Sequence, residues 1–164
     1  MAPILFLHGL ESGPLGTKAR WLAARFGAVT PQLDTRTFAA ALDGARAALA
    51  EVQPKVVVAS SFGGAIAVRL LHDGAWSGPT VLIAPAQARL GDDVSLPFGS
   101  RVVVFHGEAD DLIPVGDSRR LVADAGPGVS LHVLPGGDHR LNQILEDGSL
   151  LRALAGFGLA PVVA

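Results

Sequence analysis

The run Val56-Val57-Val58-Ala59-Ser60-Ser61-Phe62-Gly63-Gly64-Ala65-Ile66-Ala67-Val68 limits what this chain can become more than any other stretch. Three β-branched residues give way to small ones, and an almost wholly apolar helical pattern starts at once. With only small residues between the two, this reads as a buried strand turning sharply into a buried helix, which needs a sheet covered on both faces. Small residues flank the corner because a larger Cβ there would strike the neighbouring strand or helix. Ser61 stands at the corner, where an exposed Oγ would lie at a helix N-terminus that favours negative charge. The same residues also fit a plain strand–helix connection with Ser61 as its N-cap.

The rest of the chain alternates in the same way. Ile4–Leu7 is a short buried strand closed by His8-Gly9. Thr17 caps a helix with Ala19, Leu22, Ala23 and Phe26 at helical spacing, ended by Gly27. Residues 28–33 read as a second strand, placed at a sheet edge because Pro31 has no N–H for a ladder. Residues 37–52 form an amphipathic helix, and the Val56–Val68 strand and helix follow. Further strands are expected at 79–84, 101–106 and 129–134, with helices at 115–125 and 140–157, the last broken near Asp147-Gly148. Strict alternation implies an α/β fold: a six-stranded, mostly parallel sheet in the order 2-1-3-4-5-6 with helices on both faces. Such a sheet binds ligands beyond its strand C-termini at the switch point. Here that crevice lies between His8-Gly9-Leu10 and Ser60-Ser61-Phe62.

Composition removes several classes of function. A chain of 164 residues suits one domain, which buries roughly 70% of its unfolded surface. Hydrophobic residues make up 49% and mean hydropathy is +0.42, so a core is easily supplied. Net charge is −2 and no basic run exceeds Arg119-Arg120, which leaves no footprint for nucleic acid. The absence of cysteine excludes thiolate catalysis, disulfides and Cys-ligated zinc. His and carboxylate spacings form no metal site, and no cofactor is expected. The N-terminus lacks a basic region, and the apolar run 153–164 is too short to span a bilayer, so a soluble cytoplasmic protein is the default expectation.

A serine hydroxyl needs a base to take its proton and donors to hold an oxyanion. Two further segments carry suitable groups, each just beyond a strand: His106-Gly107-Glu108-Ala109-Asp110-Asp111-Leu112-Ile113-Pro114 and Gly136-Gly137-Asp138-His139-Arg140. Taken singly, Asp110 reads equally as a solvated acid and His139 as a surface histidine. Together they stand in the order Ser, Asp, His. The Val56–Val68 turn resembles the G-x-S-x-G elbow of the α/β hydrolases, with Ala59 in place of the first glycine. The other two segments are similar to that family's H-G-x-x-D-x-x-V/I-P loop and to its histidine loop.

The resemblance implies Ser61 as nucleophile, His139 as general base and Asp110 as the acid that orients it, since only Asp110, not Asp111, keeps the spacing to both ends of its loop. It implies oxyanion donors at the N–H groups of Phe62 and, from the HG-x loop, Leu10, with Leu112 and Ile113 binding substrate. His8 and His106 are given structural roles. The stretch His8-Gly9-Leu10-Glu11-Ser12-Gly13-Pro14, with Lys18 downstream, looks like small bacterial esterases carrying HG-x-x-S-x-P-x-x-x-K and a Ser-Ser-x-Gly-Gly elbow. Two departures stand out: the chain starts at what would be the family's third strand, and residues 85–100 are too short for a substantial lid. A small acyl pocket built from Leu10, Phe62, Leu112, Ile113 and Leu141 is therefore expected. The implied function is cleavage of small carboxylic esters; a thioesterase with the same residues, or a hydrolase-like binding module with little turnover, are the alternatives.

Overall fold

In the computed structural model, which describes residues 2–162, the β-branched runs lie side by side. Strands β1 (Ile4–Leu7), β2 (Val56–Ser60), β3 (Thr80–Ile83), β4 (Val102–Gly107) and β5 (Val129–Leu134) form one sheet in the order β1-β2-β3-β4-β5. All four pairings are parallel. The period-2 geometry of a strand divides their side chains between two cores. Ile4, Phe6, Val56, Val58, Val81 and Ile83 face α1 (Thr17–Phe26) and α7 (Ser149–Gly156). Leu5, Leu7, Val57, Ala59 and Leu82 face α2 (Phe38–Val52), α3 (Phe62–His72) and α5 (Val115–Ala123). β5 lies at the edge, where Ser130 and His132 are exposed.

The sequence-predicted order 2-1-3-4-5-6 needs correction, because residues 28–33 do not form a strand. They contribute a single parallel bridge, Val29 opposite Leu5. The Val29 N–H donates to the Ile4 carbonyl at 3.0 Å and its carbonyl accepts from Phe6 at 2.9 Å. Two residues later Pro31 has no N–H to offer. The next N–H in that alternate-residue series, Leu33, goes instead to Nε2 of buried His8 at 3.0 Å. Since that nitrogen accepts, the ring proton sits on Nδ1, which donates to the Gly9 carbonyl at 2.7 Å. His8 thus ties down its own loop and the failed strand. The bridge still lies outside β1, so the chain passes from one side of β1 to the other before entering β2.

Helix starts follow local chemistry, though the helices expected from Thr17, residue 37 and residue 140 each begin differently from expectation. Thr37 caps α2, its hydroxyl accepting from the Ala40 N–H at 3.0 Å. Thr17 falls inside α1, and Gly16 takes the N-cap position without a side-chain bond. The predicted break near residue 147 separates a short α6 (Gln143–Glu146) from α7, with Gly148 at φ 82°. The β3–β4 connection holds only the one-turn α4 (Gln87–Leu90). Among the described residues no helix is long and apolar enough to cross a membrane.

Helix α3 begins at backbone contact with its surroundings. A Cβ on Gly63 would lie 2.1 Å from the Leu7 carbonyl oxygen, and one on Gly64 would lie 2.8 Å from the Pro85 Cα. Gly63→Ala is therefore expected to lower stability by about 1–3 kcal/mol or more, read by urea unfolding. Gly44→Ala, on the exposed face of α2 with nothing near its Cβ position, is expected to raise it by about 0.5–1 kcal/mol. Equal effects at the two glycines would mean that the close approach at Gly63 does not hold in solution.

Candidate active site

Ser61 occupies the corner between β2 and α3 at φ 54° and ψ −115°, a conformation that costs a non-glycine residue about 1–3 kcal/mol. Both backbone polar groups are engaged there. Its N–H donates to the Ile83 carbonyl at 3.0 Å, and its carbonyl accepts from Ala65 at 3.1 Å and Ala86 at 3.0 Å. Its side chain makes no capping bond to α3. Instead the Oγ lies 2.9 Å from His139 Nε2. Of the two roles open to this hydroxyl from sequence, the helix cap is the one the geometry does not use.

His139 and Asp110 come from the loops after β5 and β4, which meet backbone to backbone. The Ala109 N–H donates to the Gly137 carbonyl at 2.9 Å, and a Cβ on Gly107 would lie 2.2 Å from that oxygen. His139 Nδ1 is 2.8 Å from Asp110 Oδ2. A carboxylate only accepts, so Nδ1 carries the proton and Nε2 is free to accept from Ser61. The other Asp110 oxygen accepts the N–H groups of Leu112 at 2.9 Å and Ile113 at 2.8 Å. The Asp110 side chain is fully buried, whereas Asp111 is exposed. His106, also fully buried, donates from Nε2 to the Ile113 carbonyl at 2.8 Å and accepts on Nδ1 from the Ser118 hydroxyl at 2.7 Å. Its Nε2 is 3.3 Å from Asp110 Oδ2, so it supports the acid as well as its own loop.

Ser61 and His139 open into a cleft of about 910 Å³, toward the upper end of ordinary small-molecule sites. Leu10, Leu112 and Ile113 line it. Two other residues do not. Phe62 packs edge-on against Phe38 in the core, and Leu141 is fully buried in the opposite core. The apolar wall is completed instead by Leu15, 82% exposed, and by Leu90. Leu15 had a signal in sequence: an apolar residue between Pro14 and Gly16, outside any helical or strand period.

Only the backbone of Phe62 is available to a ligand. As the first residue of α3, its N–H lies outside the intrahelical ladder. The Leu10 N–H makes no hydrogen bond among the described residues. Its neighbour Gly9 approaches Ser61 so closely that a Cβ there would sit 3.4 Å from the serine Cβ. Among the described residues no group of His, Asp or Glu is placed to hold a metal ion.

Lys18, also in the cleft wall, went unassigned in sequence. Its ammonium donates to the Arg140 carbonyl and, at 3.1 Å, to Asn142 Oδ1. Those bonds bracket Leu141, held at φ 54° with its N–H on Asp138 Oδ1 at 2.9 Å. Burial lowers the Lys18 ammonium from 10.5 to about 8, against a raising influence from Asp138 and with a lowering one from Arg140. Its sequence signal was a cation in the first turn of a helix, where the macrodipole disfavours it.

This arrangement of parallel strands and helices matches many solved structures. A meta-cleavage product hydrolase from Pseudomonas fluorescens superposes with TM-score 0.71 at 14% identity, covering 96% of this chain and 90% of that one. The fold is that of the α/β hydrolases. A serine hydrolase homologue from Coxiella burnetii gives TM-score 0.67 at 17% identity, covering 93% and 83% of the two chains. Mouse alpha/beta hydrolase domain-containing protein 10 gives 0.67 at 16%, covering 92% and 90%. No protein-family model matches the chain, and no curated protein does. At these identities the likeness speaks to the α/β-hydrolase fold alone.

Two measurements follow from the site. Asp110→Asn is expected to lower the rate of any reaction that uses His139 as base by about 10³–10⁴, with Asp111→Asn near wild type. Reversed effects would place the orienting acid at Asp111. For Lys18, the unfolded chain holds its proton to about 10.5 while the folded chain releases it near 8. Between those values the unfolded state binds more protons, so stability rises with pH. Relative to Lys18→Gln, the wild type should gain stability across that window and be flat below it. A constant difference from pH 7 to 11 would contradict the burial of this ammonium.

Proposed function

We propose that this chain, as one α/β-hydrolase domain, cleaves small carboxylic esters through an acyl-Ser61 intermediate. The observation that carries the reading is the 2.9 Å contact between Ser61 Oγ and His139 Nε2, made by a hydroxyl that the fold does not use as a cap. Ser61 Oγ attacks the ester carbonyl as its proton moves to His139 Nε2. The oxyanion that forms is held by the Phe62 and Leu10 N–H groups. Collapse expels the alcohol, which takes the proton from His139. Water then attacks the acyl-enzyme with His139 again as base, releasing the acid and restoring Ser61. Asp110 keeps the ring in the required tautomer and stabilises the imidazolium in both halves. Leu10, Leu112 and Ile113 hold the apolar part of the substrate. The same steps serve a thioester, so acyl-CoA substrates belong in the same assay. A binding module would have no use for a strained serine facing an oriented ring, which favours turnover.

Wild type is expected to be labelled at Ser61 by a fluorophosphonate and to hydrolyse p-nitrophenyl esters. Ser61→Ala should lose both, its rate falling by about 10⁴–10⁶ with the fold intact. Full activity in Ser61→Ala with loss in Ser60→Ala would move the nucleophile by one residue.

Acyl-chain length is a separate check. A buried methylene contributes about 0.8 kcal/mol, but the wall beyond the serine is open, with Leu112 61% and Leu15 82% exposed. Specificity constants should level off past a few carbons. A steady rise to long-chain esters would reveal a covered channel.

A further inference from the structure

The cleft wall carries a cation, Lys18, whose charge the proposed reaction does not use. Lys18 lies in the first turn of α1 and faces the same cleft as Ser61 and His139. An ammonium has three donors, and two of these go to neutral acceptors, the Arg140 carbonyl and Asn142 Oδ1. Among the described residues no carboxylate forms an ion pair with it. Burying an unpaired charge is costly, and the fold bears that cost, with burial drawing the group down to about 8. Clamping the His139 loop needs only donors, which a neutral amide supplies without the charge. The other charges nearby are Arg140 and Glu11, which also line the cleft, and Asp138, all exposed. The wall thus holds two cations and one acid beside His139.

We propose that Lys18 is an anion subsite: the ester cleaved at Ser61 carries an anionic group, in its simplest form a carboxylate, that docks on this ammonium. The proposal rests on the ester-hydrolase reading and adds a substrate class to it. Lys18 donates to the carbonyl of Arg140, the residue after His139, and lines the same cleft as Ser61, so the docked charge shares that cleft with the reacting bond. A charge-assisted bond there would complete the third donor and pair the half-buried cation.

The test uses matched ester pairs in which a second carboxylate is either free and charged or masked as its neutral methyl ester. p-Nitrophenyl hydrogen adipate against its methyl ester places the carboxylate in the acyl half. 4-Carboxyphenyl butyrate against its methyl ester places it in the alcohol half. The quantity read is the ratio of kcat/KM, anionic over neutral, in wild type, Lys18→Gln and Lys18→Arg. Dividing one protein's ratio by another's cancels intrinsic ester reactivity and any effect of Lys18 on the His139 loop. In at least one pair the ratio should fall about tenfold or more in Lys18→Gln and be largely kept in Lys18→Arg, as expected for a hydrogen bond to a charged group. Ratios within twofold of wild type in Lys18→Gln for both pairs overturn the proposal.

Calorimetric titration with monomethyl adipate at low salt, with Ser61→Ala introduced in each protein to prevent hydrolysis, gives a readout without turnover. Binding should be about tenfold weaker in Lys18→Gln, and equal affinities overturn the subsite. If no ester is cleaved and Ser61 resists the fluorophosphonate, the ester reading fails, and the titration alone decides on the subsite.

Discussion

A helix can begin against the carbonyl of a neighbouring strand only where it has no side chain. That constraint, met by Gly63 over Leu7 and by Gly64 over Pro85, underlies the geometry of the whole cleft. It brings α3 down onto the ends of β1 and β3, and the chain between β2 and α3 then has one residue in which to turn. Ser61 takes that turn at a positive φ. Its backbone is held by Ile83, Ala65 and Ala86, so sheet, helix and the loop after β3 together maintain the strain. A serine fixed this way has few ways to relax, and its hydroxyl projects where a ring from another loop can meet it.

The partner loops are fixed by a second backbone contact of the same kind, Gly107 against Gly137. Asp110 is then enclosed. One oxygen accepts two backbone N–H groups, and the other lies within reach of His139 and His106. Because His106 is itself held by Ser118 and the Ile113 carbonyl, the acid's orientation is set from both sides. Preorganisation of this kind places the reorganisation cost in folding rather than in the reaction. The proposed chemistry draws on it at every proton transfer.

Much of this was legible in the sequence because it depends on local signals. The valine runs of β2 and β4 and the small residues around Ser61 act over a few positions, and the three loops follow from strands ending where they do. What failed depended on distant partners. Residues 28–33 read as a strand, but Leu33 gives its N–H to a histidine 25 positions earlier, a competition no local pattern displays. Leu141 read as a pocket residue because it follows His139. The Asp138 side chain and Lys18 fold that loop back, sending the leucine into the core. Phe62 was correctly placed next to the serine, yet helical geometry turns its side chain away and leaves only its N–H facing outward.

The failed strand has a further consequence, for how the molecule keeps to itself. Open parallel sheets end in rows of unpaired N–H and C=O groups that invite another chain to add on. On the β1 side the row is interrupted: Val29 takes up the Ile4 carbonyl and the Phe6 N–H. Beyond it Pro31 presents no donor, and Leu33 has surrendered its own to His8. A segment too weak to extend the sheet is still enough to stop it from growing, so this margin of the protein resists edge-to-edge aggregation without adding a strand.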